Sequence, residues 1–192
     1  LDAEGVERLT MRRLAERLEV VAPSLYGHVD TKDDVIDLAV DAIFGEVPVP
    51  GPSTSWRDHV TTVLDTWRAA LLRHPWAAAV PARRRPTVGP NFLAQMEVLQ
   101  ATLLDAGFTG DALSAATWAL YNHVMGSAST ETTLRITDAE RRIGQEQLRS
   151  QRDRYPTLAA NGYLYDDDFD GSFATGLRYL LDGLEVQLGR TG

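Results

Sequence analysis

The clearest chemistry in this chain of 192 residues lies near its start, in Thr10, Arg12, Ala22, Pro23, Ser24, Tyr26, His28 and Lys32. Hydroxyls, an imidazole, cations and small groups in one short span suit phosphate oxygens and base edges, not bond breaking. Other candidates fall away on spacing. The four histidines, His28, His59, His74 and His123, have no metal-ligand spacing. No nucleophile elbow, phosphate loop or HExxH run occurs. Asp166, Asp168, Asp170 and Gly171 begin like a calcium loop, but the twelfth position is Leu177 where a bidentate Glu is needed, so the stretch reads as a solvated acidic loop. Arg83-Arg84-Arg85 before Pro86 could hold an anion, yet such a run between helices is usually a solvated surface. With no cysteine, disulfides, thiolate metal sites and cysteine nucleophiles are all removed. No metal or cofactor is expected, and no enzyme.

Two short helices and a tight turn must position the first group. Thr10 can cap a first helix that buries Leu14 and Leu18 on one face and turns Arg12, Arg13, Glu16 and Arg17 elsewhere. Glu19, Val20 and Val21 make the turn. A second helix starts near Ala22 with Pro23 in its first turn, where a missing amide hydrogen costs nothing. Leu25 faces inward, leaving Ala22, Pro23, Ser24, Tyr26 and His28 outward. Such a pair fits a DNA major groove.

The run Leu-Thr-x-Arg-x-Leu-Ala-x-x-Leu-x-Val, followed by Ala-Pro-Ser-Leu-Tyr-x-His-Val and then Lys32, resembles the DNA-binding region of tetracycline-repressor (TetR) family transcriptional regulators. The resemblance implies that Thr10 and Arg12 touch the DNA backbone or an adjacent base. It places Ala22, Pro23 and Ser24 against bases in the groove, and has Tyr26, His28 and Lys32 hold phosphates. Gly27 departs from the family, which often carries a bulky side chain there; a glycine inside so short a helix costs about 1 kcal/mol. Leu1-Asp-Ala-Glu-Gly5 looks like the last turn of a preceding helix ended by a glycine cap, and in the family an arm that is often basic precedes that helix.

Thr31 caps a third helix with Val35, Leu38, Ala39, Ala42 and Ile43 on its apolar face. Prolines forbid continuation through residues 45–55, which read as a linker between a helix-turn-helix domain at 1–44 and a larger ligand-binding and dimerisation domain at 56–192. Ser55 and Asp58 resemble a capping box ahead of a helix carrying Trp56, Val60, Val63, Leu64, Trp67 and Leu71 and ending near His74-Pro75. Phe92, Met96, Leu99, Leu103 and Ala106 form a further stripe closed by Gly107. Residues 111–130 are apolar around most of their circumference, Thr137 and Glu140 open a charged surface helix, and Phe173, Leu177, Leu180, Leu181, Leu184 and Leu188 line a last one. No segment alternates with period two, so the chain is all-α. The run from Asp168 to Glu185 is also similar to the ending of one branch of the same family, which implies a homodimer through the 111–130 and 169–188 helices. Two recognition helices would then meet a pseudo-palindromic operator in half-sites about 34 to 36 Å apart, or modestly further.

A net charge of −8 opposes nonspecific binding to nucleic acid, and residues 1–34 hold more Asp and Glu than Arg and Lys. Arg12, Arg13, Arg17 and Lys32 nevertheless gather around the proposed docking face. No apolar run approaches the ~20 residues of a membrane span and no leader is recognisable, which reads as a cytoplasmic protein without a membrane partner. The middle region should sense a small molecule. Candidate pocket residues are Trp67, Trp76, Phe92, Met96, Trp118, Tyr121, Asn122, His123 and Met125, with Asn122 and His123 notable as polar groups in an apolar helix. Relative to tetracycline-binding members, Pro81 falls where the resemblance implies a magnesium-chelating histidine, and only Thr130 or Glu131 approximates the later carboxylate, which disfavours a tetracycline–metal inducer. A ligand-responsive repressor released from its operator by a small, largely apolar effector leads the readings; a small-molecule binding protein that has lost useful DNA affinity is the alternative, and a helical enzyme using Asn122, His123 and a carboxylate finds no supporting spacing.

Overall fold

The computed structural model describes residues 1–51, 53–80, 89–134, 136–161 and 168–191. The chain is all-helical over these residues. A 3-10 turn at Val6–Arg8 is followed by α1 (Met11–Arg17), α2 (Ala22–Leu25) and α3 (Lys32–Gly45). The body contains α4 (Trp56–Arg73), α5 (Pro75–Ala79), α6 (Pro90–Asp105), α7 (Gly110–Thr133), α8 (Asp138–Ser150), α9 (Pro156–Asn161) and α10 (Phe169–Thr191). Arg83–Arg85, Pro81, Pro86 and Asp166 lie outside the described residues.

Side-chain caps start these helices where the sequence places them. The Thr10 hydroxyl accepts from the Arg13 amide at 3.2 Å, and Thr31 and Asp34 form a reciprocal capping box on α3. A second box, Thr137 with Glu140, opens α8. At α4 only half of the expected box forms: Ser55 Oγ accepts from the Asp58 amide, while the Ser55 amide donates instead to Ser53 Oγ at 3.2 Å. Gly107, at φ 110°, ends the α6 region as a residue free to take a positive φ.

The core runs between α4, α6, α7 and α10. Val60, Val63, Leu64, Trp67 and Leu71 of α4 meet Leu99 and Leu103 of α6, Leu120 and Val124 of α7, and Leu177 and Leu181 of α10. Each such side chain contributes on the order of 1.5 to 3 kcal/mol on burial. Trp67 is fully buried, and its indole N–H donates to Gln95 Oε1 at 3.0 Å. The Gln95 amide then donates to the Val47 carbonyl at 2.9 Å, which ties the proline-rich stretch into the core.

Helix α3 joins the amino-terminal unit to the body. Its Ile43 and Phe44 belong to the main core, and its buried Asp41 accepts from the Phe92 amide at 2.8 Å and from Asn91 Nδ2 at 2.9 Å. Asp41 thus caps α6 from another helix, because Gly89 at the N-cap has no side chain to do so. A Cβ on Gly89 would lie 2.1 Å from Asp41 Cγ, so glycine is required there by space.

Several details of the sequence reading change. Ala15, not Leu18, is the buried residue of α1; Leu18 stands past the last helical residue and is exposed. On α3 the inward face is Ile36, Ile43 and Phe44, with Leu38 and Ala42 exposed, because the helix packs on α6 and α4 with a rotated phase. Gly27 sits in the turn after α2, outside the helix, so the helical cost expected of it does not arise. The short helix α9 went unpredicted, since one and a half turns carry too little periodicity to read.

Candidate nucleic-acid interface and effector cavity

Helices α1 and α2 pack together through Ala15 and Leu25, with Val29 buried just beyond. Glu19 makes the turn at φ 58°, a left-handed conformation for a residue with a side chain. Burying the inner face leaves the opposite one open: Thr10, Arg12, Pro23, Ser24, Tyr26 and His28 are exposed, and Ala22 and Lys32 are half-buried. The structure therefore brings all of these residues onto the outer side of the first three helices. Ser24 Oγ donates to the Val21 carbonyl at 2.7 Å, which leaves its lone pairs available to donors outside.

Charge at this face is moderated from within. Arg12 Nε reaches Glu16 at 3.0 Å, Arg13 pairs with Glu4, and Arg17 lies 3.5 Å from the same Glu4. Arg12 is 87% exposed, and ion pairs that open to water contribute little, so a phosphate can replace Glu16 at small cost. The acidic count of the segment is thus partly an internal neutralisation of its arginines.

The expected pocket residues divide among different places. Trp67 belongs to the core. Phe92 packs edge-on against Phe44 at 5.1 Å and Tyr121 at 6.1 Å, Met125 is partly buried against the same core, and Trp76 donates to Asp2 at 2.7 Å. Burial pushes the Tyr121 hydroxyl above the ordinary tyrosine range. Met96 and Trp118 line a groove of 340 Å³ between α6 and α7, with Trp118 half exposed.

Asn122 and His123 line a cavity of 540 Å³ where α7, α10 and the start of α8 meet. Its walls combine Leu134, Ile136, Phe169 and Phe173 with Ser127, Thr130, Ser172 and Arg141. His123 stacks on Phe173 with centroids 4.9 Å apart, and its Nε2 lies 3.0 Å from the Phe173 carbonyl, which makes that nitrogen the protonated one in a neutral ring. Asn122 is exposed, so its amide faces the cavity and solvent without the burial expected of it. An apolar wall with convergent hydroxyls and amides suits a flat, partly polar organic molecule.

Behind this cavity lies a group that motif reading missed. Arg68, 8% exposed on the apolar stripe of α4, pairs with Glu131 of α7 and with Asp170 of α10 at 2.6 Å, and its guanidinium lies 4.9 Å from the Phe173 ring centroid. An arginine between Leu64 and Leu71 at helical spacing was the available signal, since a buried cation requires partners. Of the two residues that approximate the family's later carboxylate position, Glu131 is occupied by this pairing and Thr130 lines the cavity. Among the described residues no group of His, Cys, Asp or Glu could hold a metal ion, and no helix is long and apolar enough to cross a membrane.

An exposed helix-turn-helix is set on a larger helical body with a lined cavity, and comparison with known proteins shows which family shares this arrangement. Residues 49–188 match the sequence model of the tetracyclin repressor-like C-terminal domain. The chain is 45% identical to an HTH-type transcriptional regulator of Saccharopolyspora erythraea, over 98% of this chain and 81% of that protein. It is 34% identical to the HTH-type transcriptional repressor DrrR1 of Streptomyces coeruleorubidus, over 96% and 73% of the two chains. Among solved structures, ActR of Streptomyces coelicolor in complex with actinorhodin superposes with a TM-score of 0.87 at 29% identity, covering 98% of this chain and 92% of that one. The chain belongs to the tetracycline-repressor family of transcriptional regulators.

Proposed function

We propose that the protein is a repressor that binds a pseudo-palindromic operator as a homodimer and leaves it when a small, largely apolar effector binds. Residues 1–44 read DNA, 45–55 connect, and 56–192 sense the effector and pair two copies through α7 and α10. The observation that carries this reading is the exposed set Thr10, Arg12, Pro23, Ser24, Tyr26 and His28 on helices that bury Ala15 and Leu25, with Ala22 and Lys32 half-buried beside it. Support for dimerisation through α10 comes from its exposed Tyr179 and Val186 on a helix that already packs on α7. The effector reading draws on the cavity at Asn122, His123 and Phe173, and on ActR having been crystallised with actinorhodin and with (S)-DNPA. An effector acts by preferring a body conformation that spaces the two readers wrongly for the groove, so its differential affinity sets the loss of DNA binding.

The test is a site selected from random DNA, followed by replacement of Tyr26 and Lys32 together by Ala. Loss of the gel shift with an unchanged dimer supports the assignment; undiminished binding overturns it. Hydrophobic compounds that release the wild-type complex then define the effector class.

A further inference from the structure

His74 closes α4 and opens α5, and its ring sits between two carboxylates, one at the start of the amino-terminal unit and one at the start of the linker that follows α3. Nδ1 lies 2.8 Å from Asp2 Oδ1 and Nε2 lies 3.1 Å from Glu46 Oε2. Asp2 precedes the 3-10 turn and Glu46 is the C-cap residue of α3, so one side chain of the body touches the start of the reader and the first residues of the linker that leaves it. Trp76 donates its indole N–H to the same Asp2 oxygen at 2.7 Å, and Arg73 reaches Glu46 at 3.3 Å. The ring itself is mostly enclosed, at 17% exposure.

Proton counting decides what holds this arrangement. A neutral imidazole has one N–H and one lone pair, so it can donate to Asp2 or to Glu46, and its other nitrogen then faces a carboxylate lone pair to lone pair. Only the imidazolium donates to both. We propose that His74 is a protonation-controlled clasp between the DNA-reading unit and the helical body, which as imidazolium fastens both Asp2 and Glu46 to the α4–α5 junction and on losing a proton lets one of them go.

The charged groups facing the ring among the described residues are Asp2 before the first turn, Glu46 at the end of α3 and Arg73 at the end of α4. Burial alone pushes His74 down, but the hydrogen bonds and charges of Asp2 and Glu46 outweigh it and hold the ring above the ordinary histidine value. The bond to His74 is also the leading reason that Asp2 and Glu46 are held below the ordinary carboxylate range. With the folded value raised, the stabilisation is complete below about pH 6.5 and is lost as pH rises through the folded value. The attachment of the reader to the body thus weakens as pH rises through the folded value. The clasp itself does not depend on the repressor reading.

The experiment is a nitrogen-15 NMR titration of the His74 ring in the whole chain, paired with thermal unfolding from about pH 5.5 to about pH 8.5. His74 should carry protons on both nitrogens at the acid end and titrate above the ordinary histidine value, and Asp2→Asn and Glu46→Gln should each lower that titration point. The Tm advantage of the wild type over His74→Gln should shrink as pH rises. A titration point at or below the ordinary value, one that neither carboxylate variant moves, or a Tm gap independent of pH overturns the clasp. Should His74→Gln fail to fold, the two carboxylate variants still decide the matter. Operator binding, read separately, tests the DNA assignment and not this one.

Discussion

Between Leu1 and Thr31 the buried side chains are Ala15, Leu25 and Val29, whereas α4 alone buries Val60, Val63, Leu64, Trp67, Arg68, Ala70 and Leu71. The first region spends its sequence on an outward face and keeps a minimal interior. The second spends it on a core and, within that core, on a few polar groups such as Arg68 and Gln95 that reach partners on other elements. The contrast shows why α3 matters: its Asp41 cap on α6 and its Glu46 contact with His74 give the thin reader the support it cannot supply itself. A domain with so few buried side chains is held by docking more than by its own packing.

The comparison breaks most clearly at Arg68. Replacing Arg68 by Ala should lower global stability in urea by about 3 kcal/mol, since Glu131 is left half-buried without a cation and Phe173 loses its cover. The midpoint should fall while the surface of residues 10–32 keeps its exposure by amide exchange. A cost under about 1 kcal/mol would mean that the buried pair is incidental to the body. Asp41→Ala should cost less, about 2 kcal/mol, through the uncapped start of α6. It should also raise exchange across α1 and α2 more than Arg68→Ala does, because it loosens the joint itself; equal exchange in the two variants would refute the idea that the reader borrows its support. The smallest effect lies in the reader. Glu19→Gly should stabilise by about 1 kcal/mol, because glycine takes φ 58° without strain, and a loss on unfolding measurements would show that the Glu19 side chain has an unassigned partner.

The local fold of residues 10–32 was largely legible from sequence because caps and turns are specified by neighbouring residues in a fixed order. Thr10 and Thr31 cap where their types suggest, Pro23 opens α2, and the outward set follows from Leu25 facing in. The exceptions have local causes: α1 is too short to reach Leu18, and α2 ends before Gly27. In the body, apolar periodicity located α4, α6, α7 and α10, but not which face met which helix. Leu38 and Ala42 share a face with apolar spacing and remain outside because α3 rotates to bury Asp41 against α6. Arg68, Asp41 and Gln95 are buried polar groups whose partners lie far along the chain, at Asp170, Phe92 and Val47, so no local pattern announces them. Aromatic residues marked candidate pocket positions without distinguishing core from lining, which is why Trp67 and Trp118 ended in such different surroundings.

The central claim is that two copies of α2 enter successive major grooves. Hydroxyl-radical footprinting of the dimer on its selected site tests it most directly. The account predicts two protected half-sites centred about 34 to 36 Å apart or modestly further, related by pseudo-two-fold symmetry and both lost in the Tyr26→Ala, Lys32→Ala variant. A single protected stretch without symmetry, or protection that survives in that variant, would contradict it.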